Sequence, residues 1–256
     1  MPVWNPDQYL KFADHRLRPS QDLLARVDLP QAAEVCDLGC GPGNVTPLLR
    51  ARWPDARIIG IDSSAEMLDK ARVAHPGDQW VQADAAVWTP SAPLDLLFAN
   101  ASLQWLGDHA TLFPRLLDHL TPGGVLAVQM PRNFMAASHR GMIDAARNGP
   151  WRDRLEPLLR HDPVGDPAFY WDVLAPHAAH LDVWEVEYLH ALQGPDAVVQ
   201  WTKGTALKPL LDALDEPWRG QFLADYTARM ADAYPRRADG VTLFPFRRLF
   251  IVANKG

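Results

Sequence analysis

Cysteine is nearly missing from this chain, with two residues, Cys36 and Cys40, among 256. So close together, a bridge between them would constrain little. Without further Cys or His at ligand spacing they make no zinc motif, so no metal is expected. Thiols kept reduced, in a cytoplasmic protein, are the simple expectation. Long apolar runs are missing too: no stretch approaches the roughly 18 residues that a membrane-spanning helix needs. The opening Met1-Pro2-Val3-Trp4-Asn5-Pro6-Asp7 lacks a basic segment followed by an apolar one, so no secretory signal is expected. Positive charge is outweighed, 25 Lys and Arg against 31 Asp and Glu, for a net −6. That balance argues against nucleic acid or an anionic membrane as partner, and any anionic small molecule would need local cations. Internal repeats and low-complexity segments are absent.

What is present is an ordinary globular balance, 48% hydrophobic and 22% charged, in a length that suits one large domain or one with a sizeable insertion. Ten tryptophans point to aromatic-lined cavities as well as core. The informative stretch is Asp37-Leu38-Gly39-Cys40-Gly41-Pro42-Gly43-Asn44. Ala33-Glu34-Val35-Cys36 before it reads as a buried strand, and Leu48, Leu49 and Trp53 begin a helical pattern after it. Glycines at alternate positions allow positive φ and leave main chain open to a ligand. The Gly-x-Gly-x-Gly spacing departs from the Gly-x-Gly-x-x-Gly of dinucleotide sites, and a plain tight turn is the competing reading.

Strand and helix then alternate. Ala56–Ile61 predicts a second strand ending at Asp62, followed by a helix that Ser63-Ser64-Ala65-Glu66 opens as a capping box and that carries Met67 and Leu68. Gln79–Ala83 predicts a third strand ending at Asp84-Ala85, and Leu94–Ala99 a fourth that delivers Asn100-Ala101-Ser102-Leu103-Gln104-Trp105. A helix around Thr111–Leu120 and a fifth strand, Val125–Met130, complete a pattern that demands a parallel sheet with right-handed crossovers. Four successive strands thus end in polar residues at one edge. There Asp62 is placed to accept hydrogen bonds from ribose hydroxyls, or else simply caps a helix. Met67 reads equally as core or as a pocket wall.

Before the glycine loop, residues 1–18 read as a solvated arm or as a flap carrying Tyr9 and Arg18, and Pro19-Ser20 is expected to open a helix with Ser20 as N-cap. Beyond the fifth strand, a helical cap is expected over 132–181, then a sixth strand near Asp182–Leu192. A second helical group follows over about 195–240, its best segment Pro217–Tyr234, and Arg248–Ala253 reads as a closing antiparallel strand. The chain then divides into residues 1–30 (flap and first helix), 31–131 (binding core), 132–181 (cap) and 182–256 (end of the sheet with the second helical segment).

The series Asp37–Gly43, Asp62, Asp84 and Asn100–Trp105 resembles the class I methyltransferases that use S-adenosylmethionine. Trp4-Asn5-Pro6, Ile61-Asp62-Ser63-Ser64, Val128-Gln129-Met130-Pro131 and Arg248–Ala253 are similar to members that esterify small tricarboxylates. The resemblance implies an α/β, Rossmann-like seven-stranded sheet, mostly parallel with the last strand antiparallel, and a helical cap. It implies S-adenosylmethionine as cofactor, held by Asp37, Gly39, Cys40, Gly41, Gly43, Asp62, Ser63, Met67, Asp84, Ala85, Asn100, Ala101, Gln104 and Trp105. Asp84 takes the adenine amino group in that reading, with a solvent-facing loop acid as the alternative. The reaction implied is methyl transfer to a carboxylate of a small polycarboxylate, leaving S-adenosylhomocysteine, by positioning rather than by a catalytic base. Arg18, His190, Lys203, Arg247 and Arg248 are the candidate cations for the substrate, with Tyr9 and Trp201 shaping the pocket. Arginine forks match carboxylates better than lysine. A methyltransferase acting on a malonyl group of acyl carrier protein, or a non-catalytic binder of the same cofactor, are the competing readings.

Overall fold

A computed structural model describes residues 13–256, with side chains from Leu17 onward; Tyr9 and the rest of the N-terminal arm lie outside the described residues. Two compact units emerge. The larger holds Arg16–Pro131, Val164–Val186 and Arg248–Gly256. Among the described residues, the smaller holds Arg132–Pro163 and Glu187–Arg247. The stretch expected as one cap, 132–181, is therefore shared between them.

A seven-stranded sheet organises the larger unit, in the order β3-β2-β1-β4-β5-β7-β6. Its strands are β1 (Glu34–Leu38), β2 (Arg57–Asp62), β3 (Gln79–Gln82), β4 (Leu94–Asn100), β5 (Leu120–Pro131), β6 (Ala178–Gln193) and β7 (Val241–Lys255). The first five pair in parallel, and β7 runs antiparallel to β5. β1 and β4 are buried along almost their whole length, as strands covered on both faces must be. β1 runs two residues further than expected, so Asp37 is a buried strand residue rather than part of the loop. β5 begins at Leu120, before the expected Val125: Leu94 pairs with Leu120 and Leu96 with Val125, so Thr121–Gly124 bulges out between them. The strand order reverses between β1 and β4, the place where doubly wound sheets bind ligands beyond their carboxyl ends.

Helix starts are where local reading failed. The first helix, α1, spans Ala13–Ala25 with Pro19 inside it and Ser20 fully buried, so Ser20 is not an N-cap. Inside a helix proline forfeits a hydrogen bond and its ring crowds the carbonyl one turn earlier, so local sequence favours a helix start at Pro19 and the observed helix runs against that preference. After the glycine loop, α2 (Thr46–Arg52) has Pro in its first turn. In α3 (Ala65–Ala74) the N-cap is Ser64, whose hydroxyl accepts from Met67 N–H at 3.3 Å. Three positions beyond Ser64 stands Met67, not Glu66, so there is no reciprocal capping box. Asp108 caps α4 (His109–Asp118), which begins two residues earlier than expected and so encloses Pro114.

In the smaller unit, α5 (Ala137–Arg147) packs on the long helix Trp218–Ala233. A Cβ at Gly141 would lie 2.7 Å from Met230 Cε, so glycine lets the two approach. Phe222, Tyr226 and Met230 recur every four residues and are buried, as their spacing predicts, whereas Trp218 is partly exposed. They join Trp151, Trp201, Phe244 and Phe246 in this unit's core.

Candidate functional site

The glycine loop sits at the strand-order reversal, and neighbouring chain shapes it. Gly39 has φ +76°, and a Cβ there would fall 2.2 Å from Ser102 Cβ. Ser102 in turn donates its hydroxyl hydrogen to the Leu38 carbonyl at 2.8 Å, tying the loop after β4 to the end of β1. Gly41 has φ +54°, and a Cβ there would meet nothing within 4 Å. From Gly39 to Gly43 the loop's N–H groups are already in use. Gly39 and Cys40 donate to the Ile61 carbonyl at 2.7 and 3.0 Å, Gly41 donates to Asp62 Oδ2 at 2.9 Å, and Gly43 donates to the Cys40 carbonyl. A pyrophosphate site needs such groups free, so this loop is not built for an anion.

Acid replaces donors here. Asp62 also accepts from Ser64 N–H, at 2.9 Å. A carboxylate has about four lone-pair directions, so two remain for hydroxyl donors while the backbone fixes its orientation. Asp37 is 2% exposed, and its Oδ2 has no hydrogen-bond partner among the described residues. Burial pushes its carboxyl up to about 7, and the charge of Asp62 adds to that. A positive centre bound nearby would relieve both effects.

Cys40 is buried in a cluster with Leu68, Ala71 and Trp80, and burial raises its thiol further above the ordinary range. Its Sγ donates to the Gly41 carbonyl at 3.6 Å. Both cysteines are free and buried. Met67 is 8% exposed, and Ser63 is half-buried. Asp84 is exposed and closes a turn on Ala86 N–H at 2.9 Å. Beyond β4, Ala101 takes φ +53°, with its N–H on the Gln129 carbonyl. Gln104 Nε2 holds the Ala101 carbonyl at 2.7 Å, and Trp105 is half-buried. Asn100 Oδ1 and Gln104 Oε1 are buried without partners among the described residues.

The expected substrate residues that are described belong to both units. Arg18, on α1, has a side chain 70% exposed and lies 3.8 Å from Asp22. Arg248 is 4% exposed, and its Nη1 donates to Gln129 Oε1 at 3.3 Å, both in the larger unit. Its neighbour Arg247 points to the other face of the strand, as alternation requires, and lies exposed 3.8 Å from Glu187. Within the smaller unit His190 stacks on Trp201 at 4.7 Å, and both are buried. Lys203 ends the short helix Ala197–Lys203, half-buried.

The chain matches the family described as "Methyltransferase domain" over residues 9–193. It is 55% identical to the trans-aconitate 2-methyltransferase of Azoarcus sp. (strain BH72), covering 99% of both chains. It is 50% identical to the enzyme of that name from Paracidovorax citrulli, covering 98% of each. The chain belongs to the trans-aconitate 2-methyltransferase family. The fold extends to proteins of far lower identity. The YcgJ protein of Bacillus subtilis superposes at a TM-score of 0.58 and 13% identity, over 94% of this chain and 98% of its own. A Haemonchus contortus phosphoethanolamine N-methyltransferase, solved with S-adenosylhomocysteine, does so at 0.55 and 13%, over 93% of this chain and 53% of its own.

Three residues stand out for which the sequence carried no expected role. Ser102 fills the space that Gly39 leaves. Arg115, on α4, donates to the carbonyls of Ala85, Ala86 and Trp88 at 3.1, 2.7 and 2.9 Å, holding the loop that carries Asp84. Gln129 touches Arg248. Ser102 lay within the Asn100–Trp105 motif and Gln129 was a polar residue inside the apolar run Val125–Met130, whereas Arg115 carried no signal.

Proposed function

We propose that this protein is a cytoplasmic enzyme that methylates a carboxylate of trans-aconitate, or of a closely related small polycarboxylate, using S-adenosylmethionine. The observation that carries the cofactor reading is the glycine loop with its N–H groups consumed and Asp37 and Asp62 beside it. That chemistry suits a cation bearing ribose hydroxyls. Asp62 would hold the ribose, Asp84 and the Ala85 backbone the adenine. Asp37, Gly39, Cys40, Gly41 and Gly43 would frame the amino-acid end, flanked by Asn100, Ala101, Gln104 and Trp105, with Ser63 and Met67 on the wall. Bound there, S-adenosylmethionine supplies a methyl group on a positively charged sulfur, and its transfer to a carboxylate oxygen leaves a monomethyl ester and S-adenosylhomocysteine.

No general base is needed, because a carboxyl with a pKa of about 4 is already ionised near neutral pH. The chain's work is then to orient the acid and exclude water, and orientation can lower a barrier by roughly 7–11 kcal/mol. Cations belong on the non-reacting carboxylates, since strong contacts on the nucleophile would hold it back. Arg248, buried and charged, is the leading candidate. His190, Trp201, Lys203, Arg247, Arg18 and Tyr9 form the wider set.

The test is methyl transfer from labelled S-adenosylmethionine to a panel of small polycarboxylic acids and to a malonyl carrier protein. The expected result is ester formation on trans-aconitate. Arg248→Ala should lower kcat/KM by about ten- to a hundredfold, and exposed Arg18→Ala by less. Turnover on the malonyl carrier alone, or equal rates in all variants, would refute the reading.

A further inference from the structure

Gln129 is fully buried in β5. It aligns with Asn100 on β4 and with Phe250 on β7. Arg248 lies two positions from Phe250, so Gln129 and Arg248 share one face of the sheet, diagonal to each other. Arg248 Nη1 donates to Gln129 Oε1 at 3.3 Å. A guanidinium has donors only, so the carboxamide must turn its oxygen toward the arginine and its amino group away. That amino nitrogen, Nε2, is buried and meets no hydrogen-bond partner among the described residues. Leaving such a donor unpaired is unfavourable, and Met or Leu would fill the volume without that cost. The glutamine makes sense if something absent from the chain itself accepts its hydrogen bond.

Position identifies the acceptor's chemistry. In the order β1-β4-β5-β7, Gln129 and Arg248 lie across Asn100 from the glycine loop, on the side opposite the cofactor reading. A neutral N–H donor beside a guanidinium repels an ammonium or sulfonium and matches the two oxygens of a carboxylate. We infer that Gln129 Nε2 and the Arg248 guanidinium form one carboxylate-binding subsite for the methyl acceptor, gripping a carboxylate that does not react. This rests on the proposed function for the identity of the acid, not for the existence of the subsite.

The test is calorimetric binding of trans-aconitate to the whole protein saturated with S-adenosylhomocysteine, so that no turnover occurs. Parent, Gln129→Met, Arg248→Met and the double variant form a cycle, with S-adenosylhomocysteine affinity as the control for folding. Gln129→Met is expected to weaken acid binding about tenfold, to weaken it further in the Arg248→Met background, and to leave the cofactor product's affinity within about twofold. Gln129→Glu, which keeps the shape but loses the Nε2 donor, should lose acid binding in the same direction. No added loss in the Arg248→Met background would make Gln129 a mere support for the arginine and overturn the subsite, whatever the enzyme's activity. A parent that binds the acid through Gln129 yet methylates no acid would retain the subsite and remove the proposed function.

Discussion

Gly39 and Gly41 both have positive φ, yet they answer to different neighbours. At Gly39 the obstacle is the protein itself: alanine there would collide with Ser102 as well as strain the backbone. Gly39→Ala is expected to destabilise the fold by about 2–5 kcal/mol, the sum of overpacking and left-handed strain. At Gly41 a methyl group enters open space, so Gly41→Ala should cost only about 1–2 kcal/mol. Its penalty should appear instead as a rise of about tenfold in KM for S-adenosylmethionine. Urea denaturation and saturation kinetics on the two variants check this. Equal kinetic loss from both, or a cofactor KM unchanged in Gly41→Ala, would contradict the proposed role of the loop as a cofactor wall. The glycine pattern was readable as a turn in the sequence. Which glycine meets the protein and which meets open space depends on Ser102, 63 positions after Gly39.

Among elements, α4 does more than cover the sheet. Its Arg115 clamps three carbonyls of the loop after β3, and His109, near its start, bonds Tyr170 at 2.7 Å and the Leu103 carbonyl at 3.0 Å. One helix thus steadies two of the loops that line the candidate cofactor site. Arg115→Met should loosen the loop carrying Asp84 and raise KM for S-adenosylmethionine several-fold with kcat little changed, while Arg115→Lys recovers part of the loss. A fall in kcat with KM unchanged would contradict a positioning role. Nothing in the local sequence marks Arg115 from other surface arginines, because its partners lie 27–30 positions away.

For the whole molecule, Asp37 couples the site to stability. Its carboxyl stays protonated in the folded chain up to about pH 7, while in the unfolded chain it ionises near the ordinary aspartate value of 3.8. Between those values the unfolded state binds fewer protons, so stability falls as pH rises from about 4 to about 7 and then levels off. The loss attributable to this group is on the order of 4 kcal/mol. Asp37→Asn should remove that slope and be more stable than the parent at pH 8, as read by denaturation across the range. Unchanged pH dependence would show that the carboxyl is not held neutral by its burial.

By itself the sequence determined the alternation of strands and helices, the polar residue at the end of each of the first four strands and the glycine turn, because these depend on period, local φ and hydrophobic pattern. It misplaced the start of α1, since proline is favoured in a helix's first turn and disfavoured inside, whereas Pro19 lies within Ala13–Ala25. It grouped Arg247 with Arg248, whose side chains a strand sends to opposite faces. Tertiary structure alone decided that the loop's N–H groups are spent on Ile61 and Asp62, that Asp37 is buried enough to hold its proton, and that Gln129 meets Arg248. Each of these is a distance between chain segments remote in sequence, set by how the strands pair.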